Sequence, residues 1–184
     1  MEIYLIRHTT PDVPRGTSYG QTDVFLKSTF PEELEAVRCK LEGLTGLTYY
    51  SSPLQRCTRL ASGLSGSPPH IDRRLMEIDF GDWEMKFWEG GDTLSVLKGI
   101  ILEPAPGGES YAQVQERAIS FLDELAGQSH ERAAVVTHAG VIRAVLAHVF
   151  RMPLTNLFSI VPSLGGVARI DVNGADRRLL FFNR

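Results

Sequence analysis

The chain has 184 residues, of which 43% are hydrophobic and 22% are charged, and its formal net charge is −3 at pH 7. This length suits one domain with a sizeable core, and the charge balance lacks the excess of Lys and Arg with which nucleic-acid-binding proteins displace counterions. No segment approaches the roughly 20 apolar residues that span a bilayer, and the N-terminal residues lack the basic segment of a signal peptide. We therefore expect a cytoplasmic protein that binds neither nucleic acids nor membranes.

Strand and helix patterns alternate in the first half of the chain. They are a strand at 2–6, a helix at 29–44, a strand at 47–51 and a helix from 53 onward. The first strand is apolar on both faces, which is typical of a strand in the interior of a parallel sheet. Thr29 and Glu32 form a capping-box pattern at the start of the first helix. Ser52 is a candidate cap for the second helix, and Pro53 suits its first position.

The second half begins with a segment that has no regular periodicity. Glycine, proline and acidic residues interrupt the pattern over 77–109, which we interpret as a small lid excursion. Its two tryptophans, Trp83 and Trp88, favour a packing role. The elements that follow are a helix from 110 with Ser110 and Gln113 as a capping box, a strand at 133–137, a helix at 139–150, and a hairpin of 167–172 and 178–182 around Asn173-Gly174.

This order of elements predicts a single domain over 1–184 with an α/β fold. We expect a three-layer α/β/α sandwich with a mostly parallel central sheet, a small lid excursion at 77–109 and a C-terminal edge hairpin. Right-handed crossovers place helices on both faces of such a sheet, and ligands bind beyond the carboxyl ends of its strands. The residues that follow the strands are therefore the first candidates for a functional site.

Cationic side chains follow the ends of three predicted strands. The first strand runs into Arg7 and His8. The second leads into a helix whose first turn carries Arg56, and the third is followed by His138 at the start of a helix. Each of these residues alone is common in proteins without any catalytic role. Together, two arginines, two histidines and two helix N-termini at one sheet edge favour a site for a tetrahedral dianion such as phosphate.

Five segments resemble motifs of the histidine phosphatase superfamily, which includes the cofactor-dependent phosphoglycerate mutases. They are LIRHTT, SSPLQRCTRLA, LMEIDFGDWE, PGGESY and VVTHAGVIRAVL, and they follow the family's order along the chain. The resemblance implies that His8 is a covalent nucleophile and that Glu77 is the carboxylate that serves as acid and base. Three further residues would then bind the phosphate oxygens: Arg7, Arg56 and His138.

The mechanism that this resemblance implies has two steps. A neutral His8 attacks phosphorus while Glu77 protonates the departing alkoxide, and Glu77 then deprotonates the water that releases phosphate. Further residues are candidates for substrate binding: Thr9, Tyr19, Gly20, Gln21, Glu109, Ser110 and Ala139. The prediction includes no metal and no cofactor, because the chain has no His-Glu-x-x-His run and its two cysteines, Cys39 and Cys57, match no metal or redox spacing.

Within the superfamily, the details are most similar to the α-ribazole 5′-phosphate phosphatases of cobalamin synthesis. The similarity lies in the two threonines that follow the first histidine, in YGQTD at 19–23, in IDFGDWE at 78–84 and in PGGES. Three positions depart from the broad pattern: Thr9 and Met85 stand where glycine is usual, and Pro14 stands where many members carry a phosphate-contacting Asn. The sequence thus predicts a hydrolase of a small-molecule phosphate ester, with α-ribazole 5′-phosphate as the substrate.

Two alternative functions use the same residues. A phosphoglycerate mutase-type phosphotransferase would return the phosphate from His8 to another hydroxyl, although the glycolytic mutases of the family are longer than this chain. A non-catalytic module that binds phosphorylated ligands would be expected to have lost the nucleophile or the second histidine, whereas His8 and His138 are both present. The oligomeric state stays open, because the apolar helix at 141–149 suits either the core or a homodimer interface.

Overall fold

The computed structural model describes residues 1–14, 16–86 and 93–184, and its centre is one six-stranded sheet. The strands are β1 Glu2–Arg7, β2 Leu47–Ser51, β3 His70–Ile71, β4 Arg132–Thr137, β5 Val167–Asn173 and β6 Asp176–Phe181. Their order is β3-β2-β4-β1-β5-β6; the first four are parallel to one another, and β5 is antiparallel to both β1 and β6. The predicted mostly parallel sheet with an edge hairpin is therefore confirmed.

Helices cover both faces of the sheet. They are α1 Phe30–Lys40, α2 Gln55–Ser65, α3 Thr93–Gly99, α4 Tyr111–Ala126 and α5 Ala139–Val149. One buried cluster joins Ile3 and Leu5 of β1 to α4 and α5, and a second joins Tyr4 and Ile6 to α1 and α2. Because alternate strand residues point to opposite faces, this is the predicted three-layer sandwich. None of the described helices is both long and apolar enough to cross a membrane.

The burial of β1 explains why its sequence is apolar on both faces. Its four inner residues are at most 2% exposed: Ile3, Tyr4, Leu5 and Ile6. Burying one large apolar side chain contributes about 1.5–3 kcal/mol, so a shift of register would be costly on both faces of the sheet. The resulting register pairs Arg7 with Thr137 of β4 and Ser51 of β2 with Val136 of β4. Three strands therefore end at nearly the same level.

Two predicted helix caps are wrong. Thr29 occupies the N-cap of α1, but it forms no capping box with Glu32; its hydroxyl donates to Glu33 Oε1 at 2.6 Å instead. Ser52 does not cap α2, which begins later than predicted. The Ser52 hydroxyl lies 2.8 Å from Nε2 of His138, so tertiary structure engages it at the end of β2 rather than at the helix.

Two glycines mark places where the chain reverses. α1 ends at Lys40 rather than at residue 44, and the turn that follows contains Gly43 at φ +79°. In the hairpin, Asn173 is the last residue of β5, and the two-residue turn begins at Gly174 with φ +58°. Both glycines adopt the left-handed conformation that residues with a Cβ rarely take. The predicted hairpin is confirmed, with its turn one position later along the chain.

The helices of the second half agree closely with the predicted bounds. Ser110 caps α4 as predicted: its Oγ accepts from Gln113 N–H at 3.3 Å, and Gln113 Oε1 accepts from Ser110 N–H at 2.8 Å. β4 and α5 lie within one residue of their predicted ends. Most of α5 is buried, so the apolar helix predicted at 141–149 belongs to the core of this chain.

The excursion, residues 77–109, has little regular structure where it is described. It contains a 3₁₀ turn at Gly81–Trp83 and the helix α3. Trp83 is half-buried and packs against the larger core cluster, which is the packing role predicted for it. Trp88, for which the same role is predicted, lies outside the described residues.

Candidate active site

The ends of β1, β2 and β4 converge on one buried region. His8 follows β1, and its backbone N–H donates to Thr137 O of β4 at 3.0 Å. His138 follows β4, and the ring centroids of the two histidines are 5.1 Å apart. Ser52 follows β2 and leads into α2, whose first turn carries Arg56. His8, His138 and Arg56 are each at most 1% exposed, so the structure brings these three predicted site residues together in the interior.

His8 is held as a neutral imidazole, and the hydrogen bond that its ring forms within the described ranges involves Nδ1. Its Nδ1 lies 2.7 Å from the carbonyl oxygen of Thr9. Since a carbonyl only accepts, Nδ1 carries the proton and Nε2 keeps its lone pair. Burial, and then the guanidiniums of Arg56 and Arg7, hold the pKa of His8 well below its ordinary value. An imidazole that is neutral at pH 7 with an unprotonated Nε2 is suited to attack phosphorus.

Arg56 is a fully buried cation in a fixed orientation. Its Nη2 donates to Gly20 O at 2.6 Å and its Nη1 to Thr22 O at 2.9 Å. Its Nε lies 3.3 Å from Nδ1 of His138, and its Cζ lies 5.4 Å from the ring centre of Tyr19. These contacts fix the plane of the guanidinium beside the ring of His138, and a planar guanidinium is a group that can donate two parallel hydrogen bonds to a phosphate.

Two buried polar atoms beside His8 have no hydrogen-bond partner among the described residues: Nε of Arg7 and the hydroxyl of Thr9. Arg7 Nη1 donates to Pro162 O at 2.7 Å, which fixes the guanidinium at the end of β1. Within the described part of the chain, neither Arg7 nor Arg56 forms an ion pair with a carboxylate. Burying a charge without a counter-charge is costly, so this region favours an anionic ligand.

His138 is also neutral, and both of its ring nitrogens are occupied. Nδ1 accepts from Arg56 Nε, so Nε2 carries the proton and donates to Ser52 Oγ at 2.8 Å. Burial, followed by the charge of Arg56 and the neighbouring His8 ring, lowers the pKa of His138 well below its ordinary value. The second histidine is therefore held in place by two residues that follow β2, Ser52 and Arg56.

The Glu77 carboxylate sits at the N-terminus of α5. Gly140 N–H donates to its two oxygens at 3.1 and 3.2 Å, and Ile78 N–H donates to Oε1 at 3.0 Å. A Cβ on Gly140 would lie only 2.2 Å from Glu77 Oε1, so this contact requires glycine. Gly140 is not among the site residues predicted from the sequence. The sequence does carry a signal for it, a glycine in the first turn of a predicted helix. Glycine weakens a helix, so its presence there indicates a packing or functional requirement.

One cleft of about 200 Å³ exposes part of this region. Five predicted site residues line it: Arg7, His8, Tyr19, Glu77 and Ala139. Seven further lining residues are not among the predicted site residues: Gly16, Thr17, Ser18, Phe80, Leu97, Tyr111 and Arg143. Arg143 lies one helical turn after Ala139 on α5, and that spacing is the signal by which it could be found. The cleft thus combines cations, one carboxylate and aromatic walls.

Comparison with known proteins identifies the family. The sequence matches the histidine phosphatase superfamily (branch 1) over residues 3–184. The chain belongs to this superfamily. This histidine phosphatase is 28% identical to a glucosyl-3-phosphoglycerate phosphatase of Mycolicibacterium vanbaalenii, over 95% of this chain and 85% of the relative. It is 27% identical to the adenosylcobalamin/alpha-ribazole phosphatase of Escherichia coli, over 94% of this chain and 91% of the relative.

The fold of this phosphatase also recurs in solved structures. A crystal structure of a phosphoserine phosphatase variant from Entamoeba histolytica, in complex with phosphoserine, superposes with a TM-score of 0.84. The two chains are 24% identical, and the match covers 99% of this chain and 96% of the other. The predicted α/β sandwich is therefore the fold of the superfamily.

The remaining predicted binding residues of the phosphatase are not among the described residues that line the cleft. Thr9 is fully buried, and Gly20 contributes its carbonyl to Arg56. Gln21 Nε2 donates to the backbone carbonyl of Glu77 at 3.1 Å. The Glu109 carboxylate pairs with Arg117 and accepts from Asp79 N–H, and the Ser110 hydroxyl belongs to the cap of α4. The contacts of Gly20, Gln21, Glu109 and Ser110 are thus with other groups of the protein, and they hold the site in position.

Two positions that depart from the family pattern, Met85 and Pro14, lie in different surroundings in this phosphatase. Met85 has φ +57°, in the left-handed region where glycine is favoured, which explains why glycine is usual at this position. Its N–H donates to Ser18 O at 2.8 Å, which holds the strained backbone in place. Pro14 is exposed and lies outside the cleft wall. In the described ranges, no group of three or more His, Cys, Asp or Glu side chains could hold a metal ion.

Proposed function

We propose that this histidine phosphatase hydrolyses small-molecule phosphate monoesters through a phosphohistidine at His8. The observation that carries the proposal is a buried, neutral His8 with an unprotonated Nε2, which lines the same cleft as Glu77 and Arg7. Nucleophile, acid/base group and oxyanion-binding cation are the three parts that a metal-independent phosphoryl transfer requires.

The proposed reaction proceeds in two displacements. The phosphate oxygens bind Arg7 and Arg56, and they bind His138 once its Nε2–H turns from Ser52 Oγ to the ligand. His8 Nε2 then attacks phosphorus as the bond to the leaving oxygen breaks. Glu77, in its acid form, donates its proton to that oxygen, and the alcohol leaves. Glu77, now a carboxylate, takes a proton from water, which attacks the phosphohistidine. The P–N bond breaks, inorganic phosphate leaves, and His8 and Glu77 return to their starting forms.

For the leaving group we propose α-ribazole, which makes the substrate α-ribazole 5′-phosphate and places the reaction in cobalamin biosynthesis. Support comes from the similarity of the sequence motifs to the α-ribazole phosphatases and from the Escherichia coli relative. The rings of Tyr19, Phe80 and Tyr111 in the cleft wall also support it, because a flat heteroaromatic base can stack against such faces.

The test is the release of inorganic phosphate from α-ribazole 5′-phosphate in the presence of a metal chelator. Phosphoserine, glucosyl-3-phosphoglycerate and 3-phosphoglycerate are measured beside it. We expect kcat/KM for the ribazole ester to exceed the others by about tenfold or more, since stacking contributes to binding only with an aromatic leaving group.

Other outcomes would each remove a different part of the proposal. Preference for another ester would retain the hydrolase and overturn the assignment to cobalamin biosynthesis. Interconversion of 2-phosphoglycerate and 3-phosphoglycerate without phosphate release would make the protein a mutase. Tight binding of phosphate esters with no turnover of any of them would make it a binding module.

A further inference from the structure

The Glu84 carboxylate accepts hydrogen bonds from a short stretch of the early chain. Its Oε1 accepts from Gly20 N–H at 3.1 Å and Gln21 N–H at 2.9 Å. Its Oε2 accepts from Gly20 N–H at 3.0 Å, Thr22 N–H at 3.2 Å and the Thr22 hydroxyl at 2.6 Å. Phe80 N–H adds a further donor to Oε1 at 3.1 Å. Six donor contacts to one carboxylate hold residues 20–22, which we term the Gly20 loop, in one conformation.

These donors also keep Glu84 ionised. Burial raises the pKa of its carboxyl group, but the hydrogen bonds from the Thr22 hydroxyl and from the backbone N–H groups outweigh burial and leave the pKa below its ordinary value. The charged form is therefore the one that the Gly20 loop binds at neutral pH, and charge-assisted hydrogen bonds are the stronger kind.

The opposite side of the same loop holds Arg56. While the N–H groups of Gly20 and Thr22 bind Glu84, their carbonyl oxygens accept from Arg56 Nη2 and Nη1. The loop is thus a hydrogen-bonded bridge between the half-buried Glu84 carboxylate and the buried Arg56 guanidinium. It is closely packed, because a Cβ on Gly20 would lie 2.1 Å from Ile78 O and 2.4 Å from Glu84 Oε1.

We propose that Glu84 is a positioning residue that sets the orientation of the Arg56 guanidinium toward the substrate phosphate. The inference rests on the proposed function, since Arg56 has a phosphate to orient only if the site binds one. Glu84 is not among the described residues of the cleft wall, so it acts through the Gly20 loop. Its contribution is geometric: a planar guanidinium donates two hydrogen bonds to phosphate only when its plane faces two oxygens.

The test separates positioning from simple stabilisation of the fold by a double-mutant cycle. Glu84→Gln keeps the shape but turns an NH₂ group toward backbone donors. The inhibition constant of inorganic phosphate is measured against p-nitrophenyl phosphate hydrolysis. We expect Glu84→Gln to raise it about tenfold, the equivalent of one charge-assisted hydrogen bond. In the Arg56→Lys variant, Glu84→Gln should raise the inhibition constant by less than about a further twofold, because the guanidinium that Glu84 orients is absent.

A matched control and a milder variant complete the design. Asp72 is a carboxylate that likewise binds backbone and side-chain donors, Arg74 N–H at 2.8 Å among them, but it has no contact with the Gly20 loop. Asp72→Asn should lower Tm and leave the phosphate inhibition constant unchanged. Thr22→Val removes a single Glu84 donor and serves if Glu84→Gln fails to fold; it should raise the constant about threefold.

The outcomes distinguish this inference from the proposed function. If the folded Glu84→Gln variant has a wild-type inhibition constant, or if its effect multiplies fully with that of Arg56→Lys, Glu84 is structural and the proposed hydrolysis is untouched. An unchanged constant in Thr22→Val, where only that variant folds, overturns the inference in the same way. Wild-type protein that neither binds inorganic phosphate nor hydrolyses esters removes both.

Discussion

The two sides of the cleft are built by different means. On the strand side, Arg7 and His8 leave a strand that is buried on both faces and paired along its length with β4 and β5. On the excursion side, Glu77 and Glu84 are held by hydrogen bonds from backbone N–H groups of distant segments. Many small contributions fix the strand side, whereas a few carboxylate contacts fix the other. Substitutions on the strand side should therefore remove a reacting group. Substitutions on the excursion side should instead shift the position of a group that is still present.

The largest effect is expected for the strand-side nucleophile. His8→Ala should reduce phosphate release by about 10³-fold or more, because it removes the group that we propose accepts the phosphoryl group. The measurement is steady-state hydrolysis of the best ester, with His70→Ala, an exposed histidine of β3, as the control. A His8→Ala enzyme that retained even a tenth of wild-type turnover would falsify the covalent mechanism.

The excursion-side acid should show a different signature. Glu77→Gln should lower kcat by about 10²–10⁴-fold, the usual contribution of general acid–base catalysis. Binding of inorganic phosphate should not weaken, because the amide keeps the shape and removes a negative charge from the cleft. Parallel losses in kcat and in phosphate affinity would instead make Glu77 a structural residue.

A third variant tests the excursion side by moving the Glu77 carboxylate without removing it. Gly140→Ala places a methyl group 2.2 Å from Glu77 Oε1 and forces the carboxylate to move. A shift of about 1 Å can cost about 10²-fold, so kcat should fall by about 10–10²-fold while Tm changes little. Gly99→Ala, where a Cβ meets nothing within 4 Å, is the matched control. Wild-type kcat in both variants would show that Glu77 does not depend on this contact.

The two buried histidines predict how stability depends on pH. Their pKa values are lowered in the folded protein from the ordinary 6.5, so the unfolded chain takes up protons at a higher pH than the native state does. Stability should therefore fall as the pH drops below about 6.5, by about 1.4 kcal/mol for each pH unit and each histidine until its folded pKa is reached. Tm is measured from pH 7.5 to 5 for wild type and His8→Asn. The variant should lose less stability; parallel curves would contradict the assignment of a lowered pKa to His8.

The smallest effect is expected at the start of α4, where the excursion ends. Ser110→Ala removes the hydroxyl that accepts from Gln113 N–H and should lower the free energy of unfolding by about 1 kcal/mol. Chemical denaturation measures this value. A loss several times larger would mean that the cap also holds the excursion in place.

Local patterns predict much of the fold but not every boundary. The Ser110–Gln113 capping box and the hairpin near Asn173 form as predicted, because each depends on residues within a few positions of one another. The cap predicted at Ser52 fails for the opposite reason. Its hydroxyl is engaged by His138, which is 86 positions away, and a distant partner overrides a local preference.

The amino-acid sequence by itself determines the order of strands and helices. It also places Arg7, His8 and His138 at the ends of strands and Arg56 in the first turn of a helix, since periodicity and strand length are local properties. The tertiary structure decides which groups face one another across the cleft. Glu77 meets Gly140, and Glu84 meets the Gly20 loop, across separations of more than 60 residues. No local pattern encodes such contacts, because they exist only once the excursion has packed against the edge of the sheet.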